Sequence, residues 1–245
     1  MYRQACTPLV LATAIVSLTS VSGLAGASEK PASKCVVTFV DLSGSAAKDR
    51  ALYQADLEKL RTRLQAGDRV VVAPITAKSL TEFRPAVDQE IPTFSMWTDN
   101  EIKYKKKVRD LLAGIAAETQ RLLASTEKSQ KTAVFDALTV AAKLFQGESR
   151  RKVLVFFSDM IEDSDRYNFE RLQLTSKKIR EIVDQHRKSQ LLPDLRGVRV
   201  YVAGASAASS AKAREVEEFW MTYLRDAGAD MDSSHYAHTL LNYHE

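Results

Sequence analysis

The sequence predicts an α/β fold: a doubly wound, mostly parallel Rossmann-like sheet with helices on both faces. Three observations lead there. Four short runs of β-branched and aromatic residues, at 35–41, 69–75, 152–159 and 197–203, are apolar on both sides. Strands buried on both faces read that way. Stretches of helical period separate them, and strand–helix–strand alternation implies right-handed crossovers and a parallel sheet.

Composition permits such a fold. The chain has 245 residues, 45% hydrophobic and 27% charged, with Gly 9 and Pro 6. Those values suit a globular domain with a real core and exclude collagen-like, low-complexity and wholly disordered chains. The net charge of +4 is too slight to indicate nucleic acid by itself.

The elements follow in order. Residues 1–27 read as a secretory signal: Arg3, an apolar stretch at 8–18, then small residues ending Ala25-Gly26-Ala27. The remainder, 28–245, is expected to be a single domain, soluble in the periplasm or secreted. Its one cysteine, Cys35, cannot form an internal disulfide. No later segment is apolar enough to be a transmembrane span.

After the first strand, residues 46–65 form a helix carrying Leu52, Leu57, Leu60 and Leu64 on one side. Residues 81–84 are assigned as a short edge strand. Residues 92–97 read as a loop, with Phe94, Met96 and Trp97 expected to pack beneath it rather than form an exposed patch. A long helix at 100–125 keeps an apolar stripe from Ile102 to Leu123. Its basic run, Lys103 to Arg109, is expected to be a solvated face. A polar break at 126–131 precedes a helix at 133–146. Further helices are expected at 168–188 and 211–226, and a last strand within 234–243.

Ligands of such sheets bind beyond the carboxyl ends of the strands. Three motifs converge there. The first strand ends Asp41-Leu42-Ser43-Gly44-Ser45, the strand at 152–159 ends Ser158-Asp159, and Thr132 opens a helix between them. Singly, Ser45 and Thr132 fit plain helix caps, and the aspartates fit polar strand ends. Together they make two carboxylates and three hydroxyls. Hard divalent ions such as Mg²⁺, or Mn²⁺, take this all-oxygen set. An ion held largely by neutral hydroxyls stays electrophilic and welcomes a partner's carboxylate.

This arrangement resembles the von Willebrand factor type A family, which includes the integrin inserted domains. The resemblance runs from about Cys35 onward. The family's metal-ion-dependent adhesion site uses D-x-S-x-S, here Asp41, Ser43 and Ser45. Its threonine matches Thr132, in a stretch similar to the family's T-x-x-x-D-A-L, and its last aspartate matches Asp159. The family often has Asp-Gly there, whereas this chain has Asp159-Met160. The helical segment near 100–126 is large for the family. The resemblance implies an antiparallel edge strand and a protein-binding role through bound Mg²⁺, with an unknown protein or peptide supplying an acidic residue.

Enzyme signatures are mostly missing. There is no G-x-S-x-G, H-E-x-x-H or Walker A loop. A metal-dependent hydrolase of a phosphate or cell-wall ester would need a base near Asp136, Glu162 or Asp163. Glu162, Asp163 and Asp165 are expected to be a solvated acidic loop. His235, His238 and His244 are expected to be ordinary polar positions. A metal-independent scaffold docking through the long helix is the third reading.

Overall fold

The computed structural model describes residues 32–125, 131–206, 209–240 and 242–245, with the backbone alone at Ser45 and Ala47. The expected signal segment, with Cys6, lies outside the described residues, as do 126–130 of the polar break.

The strands are β1 (Lys34–Asp41), β2 (Arg69–Ile75), β3 (Val87–Glu90), β4 (Arg151–Phe157), β5 (Val198–Ala203) and β6 (Tyr236–Ala237). They form one sheet in the order β3-β2-β1-β4-β5-β6. Every pairing is parallel except β2 with β3. All eight residues of β1 are buried. The helices are α1 (Arg50–Thr62), α2 (Glu101–Ala124), α3 (Val134–Phe145), α4 (Ser176–Lys188) and α5 (Ser210–Asp226).

Successive residues of a strand point to opposite faces, so β1 feeds two cores. Cys35, Val37 and Phe39 pack with α3, α4 and α5. Val36 and Val40 pack with Tyr53, Leu57 and Leu60 of α1 and with Ile115 and Leu123 of α2. The expected doubly wound α/β architecture is therefore present. From β1 the chain steps one way to β2 and the other way to β4, which makes their carboxyl ends the switch point of the sheet.

Several local expectations are corrected. The edge strand is Val87–Glu90, not 81–84. Only Val87 of that strand is buried, and Arg69 on β2 pairs bidentately with Asp88 at 2.9 Å. Charged residues on an edge strand discourage pairing with other chains. The first helix begins as a 3-10 turn, Ser45–Asp49, and α1 follows from Arg50. Within α1, Tyr53, Leu57 and Leu60 stand at i, i+4 and i+7 and are buried on one face, while Leu52 lies off that stripe and is exposed. Residues 168–175 are not helical. Thr175 caps α4 by accepting from the Lys178 amide at 3.2 Å. Ile102, expected on the buried stripe of α2, is exposed, as are Met96 and Trp97.

Candidate functional site

The D-x-S-x-S segment turns directly out of β1. Asp41 is fully buried. Its Oδ1 accepts from the Ser43 amide at 2.8 Å, closing a tight turn, and its Oδ2 accepts from the Ser158 hydroxyl at 2.9 Å. That second bond ties the end of β1 to the end of β4. Both partners are neutral, and among the described residues no cation pairs with Asp41. Ser43 is buried beside it. The backbone of Ser45 starts the 3-10 turn, and its side chain lies outside what is described.

Asp159 stands two residues past β4 and is buried. Its Oδ1 accepts from the Ile161 amide at 3.0 Å. Between them, Met160 adopts a left-handed φ of +61°. This conformation explains the family's usual glycine, which takes it without steric cost. Here Met160 is held by its own burial and by the Trp220 indole, which donates to its carbonyl at 2.7 Å. Burying a methionine outweighs the ~1–2 kcal/mol of backbone strain.

Thr132 is buried and docks against the loop that follows Asp159. Its amide donates to the Asp163 carbonyl at 3.0 Å and its carbonyl accepts from the Asp163 amide at 2.9 Å. Glu162 strengthens the junction. Its Oε2 accepts from the Val134 and Phe135 amides at 2.7 and 3.2 Å, capping α3 from another loop. An acid there meets the positive end of the helix. Burial pushes the Glu162 carboxyl up to about 7. Glu162 is thus a buried cap rather than part of a solvated loop. Asp165 is exposed and pairs with Lys131.

The expected residues Asp41, Ser43, Thr132 and Asp159 therefore come from three loops at one end of the sheet, with the Ser45 backbone beside them. Three further residues escaped sequence reasoning. The Tyr53 hydroxyl is fully buried and has no hydrogen-bond partner among the described residues. Burial first, then the negative fields of Asp41, Asp159 and Asp49, push its pKa up. Asp49, one helical turn before Tyr53, is buried with its Oδ2 equally unpartnered among the described residues. Gly204, just past β5, has φ +100°, and a Cβ there would lie 2.5 Å from the Tyr53 oxygen. Only glycine leaves the phenol its place.

Arg50 frames the rim. Its guanidinium donates to the Leu42 carbonyl at 3.3 Å and to the Leu123 and Ser125 carbonyls at 3.1 and 3.2 Å. It fastens the turn after β1 to the carboxyl end of α2, where a cation also suits the helix dipole. The long helix thus ends at the rim of the site.

A divalent cation fits this chemistry. The donors are hard oxygens. Among the described residues Asp41 has only neutral partners and two buried oxygens nearby have none, a cost that a hydrated cation would relieve. Among the described residues no group of three or more His, Cys, Asp and Glu is placed to hold a metal ion. Cys35 is buried, and burial pushes its thiol up to about 12, which keeps it inert.

No protein-family model matches the chain, and no curated protein matches it. Similar folds occur among solved structures. The PilB minor pilin from Streptococcus sanguinis superposes with a TM-score of 0.50 at 12% identity, over 85% of this chain and 58% of that one. The pilus adhesin SpaC from Lactobacillus rhamnosus GG gives 0.48 at 10% identity, over 84% and 28%. A von Willebrand factor type A protein from Catenulispora acidiphila gives 0.36 at 14% identity, over 80% and 43%. The chain thus spans less than two thirds of each. At these identities the likeness is one of fold. The fold is a doubly wound α/β domain, with the loops that carry Asp41, Thr132 and Asp159 at the carboxyl end of its sheet.

Proposed function

We propose that this chain is an extracytoplasmic, periplasmic or secreted, protein-binding module of the von Willebrand factor type A kind that engages its partner through a divalent cation. One observation carries the reading: Asp41 is fully buried at the switch point with only neutral hydrogen-bond partners among the described residues, and Asp159 follows the end of the neighbouring strand. Asp41, Ser43, Ser45, Thr132 and Asp159 would hold Mg²⁺, or Mn²⁺ in its place. The bound ion supplies an open position for an Asp or Glu of a partner protein or peptide. The chain's own residues do the rest. Ser158 holds the Asp41 carboxylate in place, and Glu162 fixes the start of α3 so that Thr132 is presented from a rigid junction.

The enzyme reading is less well supported. Its best candidate base, Glu162, accepts two backbone amides and is buried away from any reacting group. Non-enzymatic adhesion is the simpler role for an acid-accepting site. The test is retention of extracytoplasmic proteins on the immobilised 28–245 chain in Mg²⁺ against chelator. Partner retention in Mg²⁺ that vanishes in chelator and in Asp41→Ala is expected. Retention indifferent to both would discard the cation-mediated reading. Hydrolysis of a phosphate or acyl ester by the wild type, abolished in Asp41→Ala, would favour the enzyme.

A further inference from the structure

The other end of α2 presents a different chemistry. Trp97 is 95% exposed, Met96 83% and Ile102 80%. They stand on a well-tied turn rather than on loose chain. Asp99 Oδ2 accepts from the Ser95 amide at 2.7 Å, and the Asp99 amide donates to the Ser95 carbonyl at 2.9 Å. Asn100 caps α2 by accepting from the Lys103 amide at 3.1 Å. The Tyr104 hydroxyl donates to the Pro92 carbonyl at 3.0 Å, and its ring meets Phe94 at 5.2 Å between centroids. The half-exposed Phe94 and Tyr104 thus form the base from which Met96 and Trp97 project.

A run of cations follows these apolar residues along the helix. Lys103, Lys105, Lys106, Lys107 and Arg109 occupy the first turns of α2, against Glu101 and Asp110. Lys105 pairs with Glu101 at 2.6 Å and Lys106 with Asp110 at 2.5 Å. Lys103 and Lys107 have no ion-pair partner among the described residues. No helix of the described residues is long and apolar enough to cross a membrane.

We propose that this end of α2 docks on an anionic lipid surface, with Trp97, Met96 and Ile102 entering the headgroup region and the lysines meeting lipid phosphates. Projecting apolar side chains flanked by lysines suit an interface that is apolar within and negative at its surface. Lysine stems lie along such a boundary with their charges in water. A soluble polyanion would engage the cations and leave Trp97 in water. The geometry also separates the two ends. A helix of 24 residues spans about 36 Å at 1.5 Å per residue, and its far end is fastened by Arg50 beside the switch point. Docked through its amino end, α2 holds the switch point away from the lipid.

The chain carries its own reporter. It has two tryptophans, and the other, Trp220, is fully buried and hydrogen-bonded to Met160. The 28–245 chain is mixed with vesicles of phosphatidylglycerol and phosphatidylcholine, or phosphatidylcholine alone, in chelator, so the outcome is independent of the cation site. Co-sedimentation with the anionic vesicles and a blue shift of Trp97 emission are expected, both weakening as salt rises. Trp97→Ala should reduce vesicle affinity about tenfold with an unchanged melting temperature. Lys103→Glu with Lys107→Glu should abolish the preference for anionic vesicles. Three results would overturn the proposal: no sedimentation at low salt, sedimentation without change in Trp97 emission, or a concentration-dependent dimer that Trp97→Ala dissolves. The second marks a polyanion site and the third a self-association face.

Discussion

At the first residue of β1, the Lys34 ammonium is buried and paired with a countercharge. It donates to Asp68 Oδ2 at 2.7 Å and to the Arg63 carbonyl at 2.8 Å. Asp68 also accepts from the Lys34 amide and the Gln65 amide, both at 2.9 Å. At the last residue of the same strand, Asp41 is equally buried, yet its partners are an amide and a hydroxyl. One end of the strand carries its own countercharge. The other has no countercharge among the described residues, where the buried oxygens of Asp49 and Tyr53 also have no hydrogen-bond partner. Burying a charge without a countercharge is costly, and the proposed cation would offset that cost. The contrast sets a structural ion pair against the proposed cation site.

The largest expected effect breaks the satisfied end. Lys34→Met leaves the Asp68 carboxylate buried without its cation and should cost about 3–5 kcal/mol, read by denaturant unfolding. The double variant with Asp68→Leu should recover much of the loss. If Lys34→Met alone were neutral, the two ends of β1 would not differ as described.

A third buried polar group sharpens the comparison. His186 is satisfied as a neutral ring, with Nδ1 at 2.8 Å from the Tyr223 hydroxyl and Nε2 at 3.2 Å from the Tyr167 hydroxyl. Burial pushes its pKa down to about 4. The unfolded chain takes up this proton near 6.5 and the folded chain does so only near 4. The stability that the neutral ring contributes is therefore complete above 6.5 and lost as pH falls toward 4, by up to about 3 kcal/mol. Unfolding measured between pH 7 and 4 should show this decline, and His186→Gln should flatten it.

These contrasts were unevenly legible in the sequence. β1, β2, β4 and β5 announce themselves because strands covered on both faces need unbroken apolar runs, and Asp41 and Asp159 stand where those runs stop. β3 was misplaced because Val-Asp-Gln-Glu buries a single residue, Val87, too little to show an alternating pattern, and its pairing with Arg69–Val72 comes from tertiary context. Tyr53 was hidden because the leucines alone drew the stripe to Leu52, whereas Leu57 and Leu60 share their helix face with Tyr53. Glu162 looked like one more surface acid, since the amides it caps lie 28 residues earlier. Trp97 resisted the usual rule that large apolar groups go inside. The turn carrying it is tied down by polar bonds around Asp99, which leave its ring outward.

A smaller effect probes the unsatisfied end. Tyr53→Phe removes only a hydroxyl that has no partner among the described residues. In chelator the variant should be as stable as the wild type, or more so by about 1 kcal/mol, because a buried orphan is relieved. Its Mg²⁺ affinity should fall about tenfold if the phenol orders water around the ion. A residue serving only packing would leave the affinity unchanged. Gly204→Ala should displace the same phenol and lower both stability and affinity, since its Cβ would meet the Tyr53 oxygen at 2.5 Å.

The central claim is that the carboxyl end of β1 is completed by a cation from outside the chain. Calorimetric titration of residues 28–245 with Mg²⁺ and Mn²⁺, beside Asp41→Ala, tests it most directly. Saturable binding of one ion per chain that disappears in the variant is the predicted result. Heats indistinguishable between wild type and Asp41→Ala, or no binding by the wild type at millimolar ion, would contradict it.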